Sequence, residues 1–365
     1  MGRIENETET FNSLGYTYMI NPGTLYKVYK DVMSYFHEWD QLEHAEDWIL
    51  LGKNLGKDLG IDETSLHGEV YTIVHNKEAH GRKGAIVAIV KGTKPSVVSD
   101  VLNQIPESER SMVESITMDL SDSMRAIARE SFPFAVVIRD FFHTVKRVGE
   151  ACEEMRLKLK RLAVSLLKKE KAKFHHHLMV LASQRKGYTK RMKAKHGKSW
   201  KKSNRGRKPL RINAKFTPPR LPNGETHVEL LTRCSKQLTM SRDKWSKSQE
   251  ERGKILFGLY PKLEEVYNLT QSFRCVFREK TLNIEAARVK LHEWYDKVTA
   301  CTIREIKSAR DTIKNYEDEI LNYFIAHQTN ASAESLNSKI KCFRAQVKGV
   351  KDIPFFMYRL TTVLG

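Results

Sequence analysis

From Lys57 to Asp140 the chain alternates short β-branched and aromatic runs with glycine turns; from Phe142 to about Asn330 it reads as helix almost throughout. That change of period constrains the fold more than any other feature. The runs Leu59–Thr64, Val70–His75 and Ala85–Val90, separated by His67-Gly68, His80-Gly81 and Gly84, predict a three-strand meander. Pro95 suits the first turn of a helix whose apolar face is Val97, Val98, Val101, Leu102 and Ile105. Val113–Met118 predicts a fourth strand, Ser121–Ser131 a second helix stopped before Pro133, and Ala135–Ile138 a fifth strand. The expected core is therefore α/β, a mixed five-stranded sheet in the order β-β-β-α-β-α-β.

The expected segments are 1–56, an N-terminal helical part; 57–141, the first part of the core; 142–329, a basic all-helical insertion; and 330–365, the last part of the core. Thr24–Trp39 predicts one amphipathic helix with Leu25, Val28, Val32, Tyr35 and Phe36 on one side. It is either a helix-turn-helix remnant or a helix packed on the edge of the core. In the insertion, Ile306, Ala309, Ile313, Tyr316, Ile320 and Tyr323 alternate spacings of three and four. A bundle packed within the chain is favoured over a coiled coil between two copies. The basic, proline-containing stretch Lys186–Thr226 interrupts the helical pattern.

Charge is concentrated. Val145–Arg220 holds 25 Lys and Arg against 4 Glu, a net of +21, while the whole chain carries +19. Such a block marks a polyanion partner, because each neutralised phosphate releases counterions. Anionic membrane fits less well, since the block lacks a clean apolar face. Lys201, Lys202, Arg205, Arg207, Lys208 and Arg211 are the candidate DNA contacts. Lys186–Arg220 has too little apolar content to fold alone and reads as an arm that orders on DNA. Five scattered cysteines without a CxxC pair point to a reducing compartment and away from a zinc ribbon. With no apolar run near the roughly 18 residues of a membrane span, a cytoplasmic location is expected. His175, His176 and His177 point about 100° apart on a helix and cannot converge on one ion. Phosphate loops of the GxxxxGK[ST] or GxGxxG type are absent from the sequence.

Carboxylates carry the chemistry. Asp62 ends the apolar run LGID and Asp119 ends VESITMD, and a buried charge there is costly unless it holds something. Their rivals are Glu63 and Asp122, the latter suited to a helix N-terminus. Asp140 is a fourth acid at the site, or takes the role given to Asp119, or is a salt-bridged acid fixing the entry of the next helix. His143 either bonds a carboxylate or scissile phosphate, or is a structural histidine. Glu334 lies near a helix start that Asn330 or Ser332 can cap, with Asn337, Ser338 and Lys341 on its face. Asn337 is expected to orient Glu334 or the helix, and Lys341 to reach a DNA phosphate. Two strand-end aspartates and a helical glutamate are what a two-metal phosphoryl-transfer site needs.

Four motifs in order carry a resemblance: GIDETSLHGEVYTIV, TMDLSDSM, FPFAVVIRDFFHTVKRVGEACEEMR and EILNYF…TNASAESLNSKIK. From about Leu59 onward the chain resembles the DDE transposases of bacterial insertion sequences, in the ISL-three (ISL3) family and its ISAon-type subgroup. The resemblance implies an RNase H-like core interrupted by an insertion before its final helix. It also implies metal-dependent DNA strand cleavage at element ends and strand transfer. Asp62, Asp119 and Glu334 would be the catalytic, metal-holding triad for two Mg²⁺ (or Mn²⁺) ions. Asp140, His143 and Asn337 would be accessory. DNA is the implied partner, with a homodimer or higher oligomer acting on it. Relatives carry an N-terminal zinc ribbon and helix-turn-helix, and the sequence departs from them in lacking the zinc ribbon; in the subgroup a separate upstream protein is expected to supply that region. The rival readings are a non-catalytic DNA-binding protein derived from a transposase and an RNase H-like nuclease.

Overall fold

The period-two runs form strands, and there are six of them in one sheet. They are β1 (Trp48–Leu50), β2 (Asp58–Leu66), β3 (Glu69–Asn76), β4 (Ile86–Lys91), β5 (Ser115–Met118) and β6 (Val136–Arg139), ordered β1-β4-β3-β2-β5-β6. The computed structural model describes residues 9–201, 214–279, 281–326, 330–346 and 352–365. Pairing is antiparallel from β1 through β4 and β3 to β2, then parallel from β2 to β5 and β5 to β6. The expectation of five strands is thus corrected. The extra strand, Trp48–Leu50, pairs with Ala88–Val90 at the sheet edge and is too short to display a period.

The helices used below are α1 (Pro95–Leu102), α2 (Asp122–Ser131), α3 (Phe141–His196), α4 (Pro261–Arg278), α5 (Ile284–Ala300), α6 (Arg304–Asn315), α7 (Glu317–Leu321), α8 (Ala331–Gln346) and α9 (Ile353–Leu364). Both faces of the sheet are covered, which is why β4 reads as the unbroken apolar run IVAIV rather than an alternation. On one face Val98, Val101 and Leu102 of α1 and Met124, Ile127 and Ala128 of α2 pack on Leu59, Ile61, Ile116 and Met118. On the other, Leu336, Ile340 and Phe343 of α8 and Phe356 and Leu360 of α9 pack on Tyr71, Ile73 and Ile89. The helix of Glu334 is therefore not the last of the core. α9 follows it, started by Asp352, whose side chain accepts from the Phe355 N–H at 3.1 Å.

The single helix expected over Thr24–Trp39 is also corrected. Pro22–Val28 is α-helical, Tyr29–Met33 is a π-turn, and Tyr35 adopts φ 55° before a 3₁₀ turn at Phe36–Glu38. The wider π-turn rotates the chain off its period. Val32 and Tyr35 consequently face solvent, and Leu14, Tyr29 and Phe36 bury against Phe355.

The chain divides into two compact units: Met1–Arg147, Phe273–Asp296 and Arg310–Gly365 form one, and Val148–Ser272 with Lys297–Ala309 the other. The second is helical, with Leu230, Leu231, Cys234, Leu256, Leu263 and Tyr267 buried and Glu225 paired to Arg233 and Arg252. α3 continues through Lys186 as far as His196, where an interruption was expected. Lys, Arg, Ala and Met are good helix formers even when nothing packs on them. Gly197, at φ 90°, ends the run in the left-handed conformation that glycine adopts without a Cβ clash. Ile306, Ala309, Ile313, Tyr316, Ile320 and Tyr323 are all buried.

Candidate active site

The parallel part of the sheet ends in register, and the acids follow directly. Gly60 pairs with Thr117 and Thr117 with Ile138; Met118 pairs with Arg139, and the next residues are Asp119 and Asp140. The Asp140 N–H still donates to the Met118 carbonyl at 2.8 Å. β2 runs on past its last parallel pair, so Asp62 sits mid-strand, opposite Ile73, rather than at the strand end expected from LGID. It nevertheless lies two residues beyond Gly60, as Asp119 lies two beyond Thr117. Ile61 points into the α1/α2 core and Asp62 to the opposite face, where α8 lies.

Helix α8 is docked on these strands through asparagines. Asn337 Nδ2 donates to Asp62 Oδ2 at 2.6 Å, and the Glu63 N–H donates to Asp62 Oδ1 at 2.7 Å. Asn330, almost fully buried, donates its N–H to Asp140 Oδ1 at 3.0 Å. Behind it His75 Nε2 meets Ser332 Oγ at 3.0 Å. Gly60 makes room: a Cβ there would stand 2.2 Å from His75 Cε1 and 2.7 Å from Asn330 Oδ1. Of the two expectations for Asn337, Glu334 or the helix, its contact is with Asp62, which ties the helix to β2.

His143 Nδ1 lies 2.6 Å from Asp119 Oδ1 and 3.1 Å from Asp140 Oδ2. Its contact with Asp119, and then that with Asp140, holds the imidazolium up to about 10. Burial raises the Asp140 carboxyl, but the His143 contact and the Asn330 N–H outweigh it and keep the group below its ordinary range. Asp140 also accepts the His143 N–H at 3.3 Å, capping α3, so it is both a neighbour of the site and the acid that fixes the next helix. Asp62 is raised to about 6, first by burial, with the Asp119 charge adding and the Glu63 N–H opposing.

Among the described residues, Asp119, Asp140 and His143 are the metal-capable groups whose ligand atoms all lie within 4.8 Å of one another. Asp62 and Glu334 stand outside that set. Glu334 is exposed in the first turn of α8, four residues after Asn330 and three before Asn337. Asn337 Oδ1 is a buried oxygen without a hydrogen-bond donor among the described residues, and Asp119 Oδ1 meets the His143 ring. Hard oxygens beside carboxylates suit a divalent cation of the Mg²⁺ class. Lys341 is exposed on α8 and Lys201 is exposed after α3; Lys202, Arg205, Arg207, Lys208 and Arg211 lie outside the described residues.

Two anchors escaped sequence reasoning, the His75–Ser332 contact and a buried Arg139–Glu319 pair (2.7 Å). The only signal for the second was an arginine inside an apolar strand, directly before Asp140.

The sequence profile of the ISL3 family of DDE transposases, described as Transposase, matches residues 59–360. The chain belongs to that family. No curated protein and no solved structure matches it. DNA is the partner this membership implies, and no helix among the described residues is long and apolar enough to cross a membrane.

Proposed function

We propose that this chain is the catalytic subunit of an insertion-sequence transposase, of the ISAon type, with an RNase H-like core. It would cleave DNA at element ends and join the freed strand to target DNA. One observation carries the reading: Asp119 and Asp140 follow the carboxyl ends of two adjacent parallel strands, Asp62 lies just beyond the parallel pairing of the third, and the Glu334 helix is hydrogen-bonded to Asp62 and Asp140. A crevice outside strand carboxyl ends is where open α/β sheets bind ligands. The strand order β4-β3-β2-β5-β6 agrees with the RNase H-like reading, β1 being an added edge.

Asp62, Asp119 and Glu334 would hold two Mg²⁺ or Mn²⁺ ions. The chemistry these supply when bound is charge neutralisation at the reacting phosphate. Asn337 and the Glu63 N–H fix both oxygens of Asp62, and His143 holds a proton between Asp119 and Asp140. Water, and later a freed 3′-hydroxyl, attacks phosphorus in line, one P–O bond forming as the opposite one breaks. No protein nucleophile is needed. Lys341 and the basic stretch from Lys201 to Arg211 would bind phosphates. The active form would be a dimer or higher oligomer on DNA, with a separate zinc-ribbon protein recognising the element ends.

The test is nicking and strand joining on DNA carrying the element ends, with and without Mg²⁺. Alanine at Asp62, Asp119 or Glu334 should lower cleavage by at least about 10²–10³-fold, the range for removing one preorganised charge-stabilising group. DNA binding should remain. Normal cleavage by the Asp119 variant together with inactivity at Asp140 would reassign the second carboxylate. Nicking without joining would favour a nuclease.

A further inference from the structure

The turn that carries Asp119 is gripped by groups the proposed chemistry does not use. Arg139, the last residue of β6, is fully buried. Its Nη1 donates to the Asp119 carbonyl and, at 3.1 Å, to the Ser121 carbonyl. Its Nε donates to Glu319 Oε2 at 2.7 Å. Glu319, on α7, accepts through its other oxygen from Arg125 at 2.5 Å and Arg129 at 3.2 Å. Both arginines belong to α2, the helix that leaves the same turn. The Tyr316 ring stacks beneath the guanidinium groups of Arg139 (4.3 Å) and Arg125 (5.0 Å), and its hydroxyl donates to Asp122 at 2.9 Å. Asn322 Nδ2, just past α7, donates to the Val137 carbonyl of β6 at 2.8 Å.

If the purpose were only to hold α7 on the sheet, apolar side chains of similar volume would serve as well, because buried ion pairs seldom outperform them. What they cannot do is add a second donor to the Asp119 and Ser121 carbonyls, which already accept the Ser121 and Arg125 N–H groups, and so clamp the turn from the side. A planar guanidinium does this while its remaining edge meets a carboxylate. We propose that Arg139 and Glu319 are positioning residues for Asp119. Glu319 fixes the guanidinium, and the guanidinium fixes the backbone that aims the Asp119 carboxylate. The segment 310–326, remote in sequence, is on this view a working part of the active centre. The proposal rests on reading Asp119 as a metal-holding group.

The decisive variant is R139M/E319L in the full chain. Mn²⁺ binding is measured by calorimetry on the protein alone, beside thermal unfolding and cleavage kinetics. E319L alone should lower the melting temperature, because it strands a buried guanidinium. The double variant should regain much of that stability yet bind Mn²⁺ about 10–100-fold more weakly, the range for losing a group that orients a ligand. Its kcat should fall with KM for DNA unchanged. R139K, which keeps the charge but not the fork, should show the same weakening of Mn²⁺ binding and serves if the double variant fails to fold. Wild-type Mn²⁺ affinity and kcat in the double variant, or in R139K where the double variant fails to fold, would overturn the proposal. D119A separates the two claims. If it binds Mn²⁺ and cleaves normally, the reading of Asp119 fails and the proposal with it. If D119A is inactive while R139M/E319L behaves as wild type, only the positioning role fails.

Discussion

His143 sits where two carboxylates would otherwise repel, and its charge makes the site's stability sensitive to pH. Its folded-state value of about 10 lies above its ordinary 6.5. A raised histidine contributes stability that is complete below 6.5 and is lost as pH climbs through about 10. Asp62 adds to the same slope at lower pH. Raised to about 6 from 3.8, it favours folding when protonated, so its contribution declines as pH rises from about 4 to 6. Unfolding by urea, measured from pH 4 to 10 with chelator present, should therefore show stability falling through both windows relative to the H143Q and D62N variants. H143Q should flatten the upper window only, and D62N the lower. Equal slopes in wild type and H143Q would mean that His143 is not the counter-charge of Asp119 and Asp140.

Helix α8 shows what a sequence can and cannot disclose about an element. Its existence, its start near Asn330 and the exposed Glu334 in its first turn were legible from spacing and capping residues. Asp62, Asp119 and Asp140 were legible because charge at the end of an apolar run is costly, although Asp62 turned out to lie mid-strand. Which residues lock the helix to the sheet was not legible, because Asn330, Ser332 and Asn337 find their partners Asp140, His75 and Asp62 only after the chain has folded back. The same limit hid β1, the break at Tyr35 and the whole of α9, whose signals are short or depend on what packs against them. Gly60 tests the locking. A Cβ there collides with His75 and Asn330 together, and neither ring nor amide can retreat from a packed layer. G60A should cost about 1–3 kcal/mol, as overpacking does. It should also reduce cleavage beyond what the lower stability explains, since the start of α8 must shift away from Asp140. Unchanged melting and cleavage would show that α8 is free to move off the sheet.

Charge is segregated along the chain: Val145–Arg220 carries +21 and everything outside it nearly cancels. The acids of the candidate site and the bulk of the cations thus lie on different stretches of sequence, which divides chemistry from affinity. The helical α3 supplies a rigid run of exposed Lys and Arg as far as His196. Lys201 to Arg211 adds six more cations with no acidic residue between Lys171 and Gly224 to offset them. If these bind phosphates, association with DNA should be strongly salt-dependent and almost indifferent to sequence. Reversing Lys201, Lys202, Arg205 and Arg207 to glutamate should then weaken binding to every duplex alike. The log-log salt slope should flatten by about 0.9 for each phosphate no longer neutralised, and metal binding at Asp62 and Asp119 should be unaffected. Fluorescence anisotropy at three ionic strengths, on an element-end duplex and an unrelated one, reads both quantities. A slope that stays at its wild-type value would remove the stretch from the DNA interface. Weakening confined to the element-end duplex would instead make it a reader of sequence, a role that phosphate contacts alone cannot perform.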